Sequence, residues 1–416
     1  MFRRHGRHPL TCCVCFLLCP PCVARRYTGK ALLLSKAVPL DVQIGLVRSS
    51  WGGTSIHAWS SPDAIAKCPG SPSNQTAAEH AAQGSALFNG MIAPFIGLQF
   101  KAVVWYQGES DTGPDHGLAG PKYYGCALGE MIKDWRLKFG IPSLPFLVVE
   151  LSAYCNEDNE KTFHTWCDQQ STHLTAPDPW LPAMRLAQQA GVTAAGANTV
   201  MVSAMDLGSL HPLAGSIHSD KKVELGRRLA LAASAVAYTR KNSTVFAGPR
   251  AVSAFRHGET AVMVRFQLSA GVPAIAFNAT AACPTPTLNV FCTGAGFEVQ
   301  VGGVWSAADV SVASLQPPAA VLLRAAGHDA TAVDRVRYAY ADWPVVSVRN
   351  ALRNASTGAS ELGLPAPLFD LAVAAAPLPA RPECNPSNGC TVCAACCQGY
   401  VPDGKACSAC VAKQCV

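Results

Sequence analysis

The chain is poor in charge. Asp, Glu, Lys and Arg make up 14% of its 416 residues, against 49% hydrophobic. That balance argues against a disordered chain and leaves ample material for packed cores. There is no Lys/Arg stripe with interleaved aromatics; the net charge of +6 is scattered, which argues against nucleic acid as a partner. No apolar run reaches the length needed to cross a bilayer. No Gly-x-Ser-x-Gly elbow occurs, so a serine nucleophile is not marked by that signature. Cysteine, by contrast, is abundant. Nineteen residues are too many for a typical cytosolic enzyme and point to an oxidising compartment.

Two further features agree with a secreted or secretory-lumen location. Asn-x-Ser/Thr sequons occur at Asn74, Asn242, Asn278 and Asn354. Arg3, Arg4 and Arg7 precede Leu10–Ala24, an apolar stretch resembling a signal h-region. Cys12, Cys13, Cys15, Cys19 and Cys22 crowd that stretch and no clean small-x-small cleavage site follows, so it reads equally as a misplaced start. Residues 1–40 are therefore set apart from the folded units.

Length alone suggests two to three domains. Residues 41–240 alternate between strand-like and helix-like segments. Val42–Val47, Lys101–Tyr106, Leu144–Leu151 and Thr199–Met205 are apolar strands. Ala86–Ile96, Tyr123–Phe139, Trp180–Ala190 and Lys221–Tyr238 are helices. Such alternation implies a parallel sheet covered on both faces. Residues 241–375 hold short alternating runs, among them Ala261–Leu268, Phe297–Val301, Val304-Trp305 and Val336–Tyr340, separated by Gly and Pro turns; these predict a small antiparallel β-sandwich. Trp343 is expected to anchor its core. Pro365–Pro382 is rich in Ala and Pro and reads as a linker.

Residues 376–416 complete that linker and form a cysteine-rich module with Cys384, Cys390, Cys393, Cys396, Cys397, Cys407, Cys410 and Cys415. Cys390/Cys393 and Cys407/Cys410 have spacing that also suits zinc, but in a secreted chain disulfides are the better reading. Cys155/Cys167 and Cys283/Cys292 bracket short loops and are expected to pair.

Three segments of the α/β region carry chemistry. In Val103–Asp111 an apolar strand ends in Gln107, Gly108, Glu109, Ser110 and Asp111, as a buried strand does where it emerges at a ligand-binding edge. In Val42–Thr54 a strand enters the Gly52-Gly53 turn, which can present backbone N–H groups to an anion. In Asp206–Leu225, His211 and His218 precede a long helix; a loop histidine there suits a general base.

Together these segments resemble the sialate O-acetylesterase family of SGNH-type esterases. The resemblance runs in order through Ser49–Ser60, Phe88–Pro94, Val104–Ser110, Asp134–Arg136, Pro145–Leu147, Ala204–Leu207 and Gly215–Lys221. It implies an α/β, flavodoxin-like three-layer domain, followed here by the sandwich and the disulfide-rich tail. It implies removal of O-acetyl esters from sialic acid or another acetylated sugar by a Ser-His mechanism, with no cofactor or metal. It makes His218 the catalytic histidine in preference to His211, and places Gly52, Gly53 and the Gln107 amide around the oxyanion. The Asp that orients histidine in many relatives is replaced by Gly215 or Ser216, leaving Glu109, Asp206, a backbone carbonyl or a bare dyad. The family's Gly-Gln-Ser-Asn-Met-like block, which carries the nucleophile after the first strand, has no counterpart here. Thr11, Thr28 and Ser35 are the only Ser/Thr residues before Val42, and Ser110 and Ser50 are weak substitutes. The domain is therefore expected to lack its first strand and the chain to be poorly active. The alternatives are a glycan-binding protein without catalysis, or an acetylesterase of plant or algal polysaccharide.

Overall fold

The computed structural model describes residues 11–17, 23–34, 38, 42–68, 84–112, 119–153, 180–209, 218–238, 244–278, 293–353 and 360–375. Its first sheet is parallel throughout and has the order β2-β1-β3-β4-β5. The strands are β1 (Thr11–Leu17), β2 (Ile44–Arg48), β3 (Phe100–Tyr106), β4 (Phe146–Glu150) and β5 (Thr199–Ser203). This is the flavodoxin-like order, whose reversal point lies between β1 and β3; ligands sit outside the carboxyl ends of such strands. The expectation of a missing first strand is corrected here. Thr11–Leu17 occupies the position between β2 and β3. The segment that reads as a signal h-region supplies β1 and the first residues of α1 (Val23–Leu34).

β3 and β4 are buried along almost their whole length, as strands covered on both faces must be. The covering helices are α1, α2 (Ala119–Lys138), α3 (Trp180–Ala195) and α4 (Lys222–Val236). α2 packs closely on α3 through glycine: a Cβ on Gly129 would meet Ala194 Cβ at 2.9 Å, and one on Gly191 would meet Leu128 Cβ at 2.8 Å. Ala86–Ile96 is not a regular helix. Gly90 and Pro94 interrupt it, and it forms a wide π-type turn over Phe88–Ile92 followed by a 3₁₀ turn over Ala93–Phe95.

Trp59, Trp105 and Trp135 form the centre of this core, all fully buried. Trp105 meets Trp59 and Trp135 edge-on, with ring centroids 6.3 and 5.9 Å apart. Each indole N–H has a partner, as buried indoles require: Trp135 donates to Trp59 O, Trp105 to Tyr124 Oη and Trp59 to Thr54 Oγ1. Arg136, beside Trp135, donates to the carbonyls of Leu144, Ala195 and Ala197 and to Thr199 Oγ1. The Asp134–Arg136 segment thus ties α2 to the loops that lead into β4 and β5. Cys68 and Cys126 form a disulfide, with Cα atoms 5.8 Å apart, that fixes the segment after the first loop to α2. Cys155, Cys167, Cys283, Cys292 and the cysteine-rich tail lie outside the described residues.

The second unit is built from an eight-stranded sheet, ordered β10-β9-β13-β16-β6-β7-β12-β11, and a three-stranded sheet, β15-β14-β8. The larger contains β6 (Arg250–His257), β7 (Ala261–Gln267), β9 (Phe297–Val301), β10 (Val304–Ala307), β11 (Asp309–Ser314), β12 (Ala320–Arg324), β13 (Val333–Tyr338) and β16 (Phe369–Ala374). The smaller contains β8 (Ala274–Phe277), β14 (Val348–Arg353) and β15 (Ser360–Pro365). Pairing is antiparallel except between β16 and β6. β16 overturns the linker reading of Pro365–Pro382 in part: six of its residues form a strand in the middle of the larger sheet. Phe297, Tyr338 and Phe369 pack as an aromatic cluster in this second core.

The two units meet at the carboxyl ends of β4 and β5. Arg185 on α3 is fully buried and donates to Leu151 O, Ser152 O, Ala341 O and Asp342 O. Gln189 donates to Leu368 O. Trp343 does not join the sandwich core as expected. A Cβ on Gly208 would meet its ring at 2.8 Å, so the glycine lets Trp343 seat directly against the β5 loop.

Candidate functional site

The site is built around the tip of β3. Gly108 turns the chain with φ +145°, and a Cβ there would meet Leu151 Cδ1 at 3.2 Å; only glycine combines that dihedral with that contact. The turn leads into a short 3₁₀ segment, Glu109–Asp111. Asp111 is buried. One of its carboxylate oxygens, Oδ2, accepts from Gln107 Nε2 at 2.5 Å and from Ile56 N at 2.9 Å. Gln107 Nε2 also donates to Thr54 O at 3.1 Å. Gln107 Oε1 lies 2.8 Å from Tyr124 Oη. Gln188 on α3 donates to Gln107 O and Val149 O and accepts from Leu151 N.

These bonds fix the loop after β2 from within. Thr54 is gripped at its carbonyl by Gln107, and its hydroxyl donates to Trp51 O and accepts from Trp59 Nε1. Ile56 is gripped at its N–H by Asp111. Ser49 Oγ donates to Met91 O at 2.7 Å, so the Phe88–Pro94 segment braces the loop's first residue. Between these anchors, Trp51, Gly52 and Gly53 are exposed, Gly53 with φ +69°. Both amide hydrogens of Gln107 are engaged within the protein, so Gln107 acts on the loop it holds.

Burial pushes the Asp111 carboxyl up to about 7, against the pull of the Gln107 and Ile56 donors; the neighbouring Glu109 raises it further. Burial also raises Glu109, with the Lys222 ammonium drawing it the other way. Lys222 Nζ lies 5.5 Å from the Tyr106 ring centroid. The start of α4 is therefore close to the end of β3.

His218 is half-buried and precedes α4 by four residues. The next residue, Ser219, donates from Oγ to Leu207 O and accepts from Lys221 N, tying the histidine segment to the β5 loop. Asp206 in that loop is buried between two guanidiniums. Its Oδ1 lies 2.6 Å from Arg228 Nη1, and its Oδ2 lies 2.8 Å from Arg228 Nη2 and 2.8 Å from Arg349 Nη1. Despite its burial, the hydrogen bond and charge of Arg228 and the charge of Arg349 hold this carboxylate below the usual range.

Residues 29–235 match the family described as carbohydrate esterase, sialic acid-specific acetylesterase. The α/β part of the chain belongs to that family. Sialate O-acetylesterases of Pongo abelii and Homo sapiens are each 36% identical to it over 221 residues, which is 50% of this chain and 38% of theirs. That of Mus musculus is 33% identical over 252 residues and is matched over 42% of its length. The chain thus spans about two fifths of the length of these relatives. A carbohydrate acetylesterase from Xanthomonas citri superposes with a TM-score of 0.60 at 23% identity, covering 83% of this chain and 64% of that one. That likeness shows a shared fold across both units.

The esterase-family residues named from sequence all lie at the carboxyl edge of the first sheet. Gly52 and Gly53 follow β2, Gln107 and Glu109 follow β3, and Asp206 and His218 lie between β5 and α4. His211, Gly215 and Ser216 lie outside the described residues. Sequence reasoning missed Asp111, Tyr124, Gln188, Arg228 and Arg349. The first is an acidic residue in a segment already singled out; its partner Ile56 is distant in sequence, and no spacing rule joins them.

Proposed function

We propose that the chain is a carboxylic ester hydrolase that removes O-acetyl groups from sugars. The observation that carries this reading is the convergence of the Gly52-Gly53 loop, the β3 tip and the His218 segment on one edge of the parallel sheet, with the loop clamped by Gln107 and Asp111. In this reading the exposed loop amides receive the developing oxyanion, because preorganised donors stabilise charge that appears only in the transition state. His218 takes the proton of the attacking hydroxyl and returns it to the leaving sugar oxygen. Glu109 is the better orienter of His218, since both oxygens of Asp206 are already held by arginines. Gln107 is a positioning residue. The nucleophile is not assigned. The substrate class is O-acetylated sialic acid or another acetylated glycan, and the working location is the secretory pathway or beyond, in line with the sequons and the Cys68–Cys126 disulfide.

Acetate release from 9-O-acetyl sialic acid and from ethyl acetate tests the reading. The wild-type chain should release acetate, and His218→Ala should lower kcat by about 10²–10⁴-fold. Release that is undiminished in His218→Ala overturns the assignment.

One observation favours a second reading. The connection between β1 and α1, residues 18–22, reads Leu-Cys-Pro-Pro-Cys, without a hydroxyl where the family's topology calls for the nucleophile. A glycan-binding protein without hydrolysis would bind acetylated sialic acid and release no acetate.

A further inference from the structure

Trp51 is 62% exposed. Among the described side chains no other tryptophan is comparably open: Trp59, Trp105 and Trp135 are fully buried, Trp343 is 8% exposed, and Trp305 is half-buried with the Arg337 guanidinium over its ring. An indole left in water forgoes the stabilisation that burying its large apolar face would give. Nor is the residue held out by slack in the chain. Its own carbonyl accepts from Thr54 Oγ1 at 2.8 Å. Thr54 is in turn fixed by Trp59 and by Gln107, and Ile56 by Asp111. On the other side, Arg48 Nε donates to Ser50 Oγ at 3.0 Å. The rigid loop therefore presents an aromatic face directly before the two glycines assigned to the oxyanion. Beside Gly53 there is open space, with no atom within 4 Å of where a Cβ would stand.

We propose that Trp51 is the platform on which the sugar ring of the substrate packs. A pyranose has one face of C–H groups, and laying it on the indole removes apolar surface from water on both sides. The neighbouring Gly52 and Gly53 are then placed to receive an acetyl group carried by the same sugar. The residue selects for acetyl esters borne on a sugar over acetyl esters in general. This rests on the esterase reading above and adds the element that recognises the alcohol side of the ester.

Ethyl acetate has an acetyl group and no ring, so it separates the two halves of the site. Trp51→Ala should lower the ratio of kcat/KM for 9-O-acetyl sialic acid to that for ethyl acetate by about 10-fold, the size expected for loss of one aromatic stacking contact. The change should lie in KM, and Trp51→Phe should restore most of it. An unchanged ratio overturns the platform and leaves the esterase standing. Binding is read separately from turnover by titrating N-acetylneuraminic acid against indole fluorescence. The sugar should quench wild-type emission, and Trp51→Phe should lose that quench. If no ester is hydrolysed, the esterase reading fails, and the titration alone decides the platform. A wild-type protein whose emission does not respond, or a Trp51→Phe variant that responds equally, overturns it.

Discussion

Asp111 and Asp206 stand just past two strands of the same parallel sheet, both buried and both bonded, and their surroundings drive them in opposite directions. Asp111 receives two neutral donors, the Gln107 amide and the Ile56 N–H, and has the Glu109 carboxyl for a neighbour. Asp206 receives two guanidiniums. Neutral donors offset only part of the lost hydration of a charge, so Asp111 rises to about 7 while Asp206 falls. A carboxyl that can carry a proton near neutrality sits under the Gly52-Gly53 loop. A permanent anion sits under the histidine segment. The first is suited to adjusting a loop and the second to anchoring one.

The largest effect that should sharpen this contrast is on stability. Asp206→Ala removes the shared partner of Arg228 and Arg349, whose side chains are 4% and 19% exposed. Arg228 keeps Glu224 at 2.8 Å, but breaking its buried pair with Asp206 should still cost up to about 5 kcal/mol in urea unfolding. Asp111→Asn keeps the shape and should cost about 1 kcal/mol. A reversed order would break the comparison.

Next in size is the dependence on pH. Asp111 binds a proton more tightly in the folded state than unfolded, so its contribution is fully present at acid pH. It is lost as pH rises from the ordinary carboxyl value of 3.8 to about 7, a span worth up to about 4 kcal/mol. Asp206 behaves oppositely: its contribution is present above the ordinary value and lost as pH falls through its lowered one. Unfolding followed between pH 4 and 8 should therefore show a fall that Asp111→Asn flattens and that Asp206 substitutions leave in place. A slope that survives in Asp111→Asn assigns it elsewhere.

Removing the clamp should have a smaller effect. Gln107→Leu leaves Thr54 O without its donor and removes one donor from Asp111, at about 1–3 kcal/mol. Hydrogen exchange at residues 52–54 should speed up, and the Asp111 titration should move higher. Unchanged exchange there would mean that Thr54 and Ile56 are held by something other than the β3 tip.

Parts of this arrangement can be read in the sequence. β3, β4 and α4 declare themselves because continuous apolar runs and helical spacing are local signals, and the Trp-Gly-Gly and Gln-Gly-Glu blocks mark two of the edges. β1 does not. An apolar, cysteine-laden run behind arginines has the composition of a leader, and only pairing with β2 and β3 distinguishes a parallel central strand. β16 is similarly hidden in an Ala/Pro-rich stretch. The opposed states of Asp111 and Asp206 are invisible for the same reason: Ile56, Arg228 and Arg349 are brought to them by the fold.

The smallest expected effect crosses the boundary between the units. Arg349 belongs to β14 of the sandwich, yet its guanidinium reaches the β5 loop that leads to His218. Because Arg228 also holds Asp206, and because Arg349 is partly open to solvent, Arg349→Met should cost about 1 kcal/mol. It should nonetheless couple to the His218 segment. Asp206 rises toward the ordinary carboxyl value when one of its two cations is lost, and the Ser219–Leu207 tether loses part of its anchor. If the sandwich serves the site, Arg349→Met should lower kcat for ethyl acetate severalfold at little cost in Tm, and Arg349→Lys should recover it. If it is only a neighbour, kcat should follow Tm alone, in Arg349→Met and in the double variant with Arg228→Met, whose stability losses are non-additive in either case because both arginines hold Asp206. A loss of kcat beyond what Tm accounts for would assign the sandwich a working share of the proposed site.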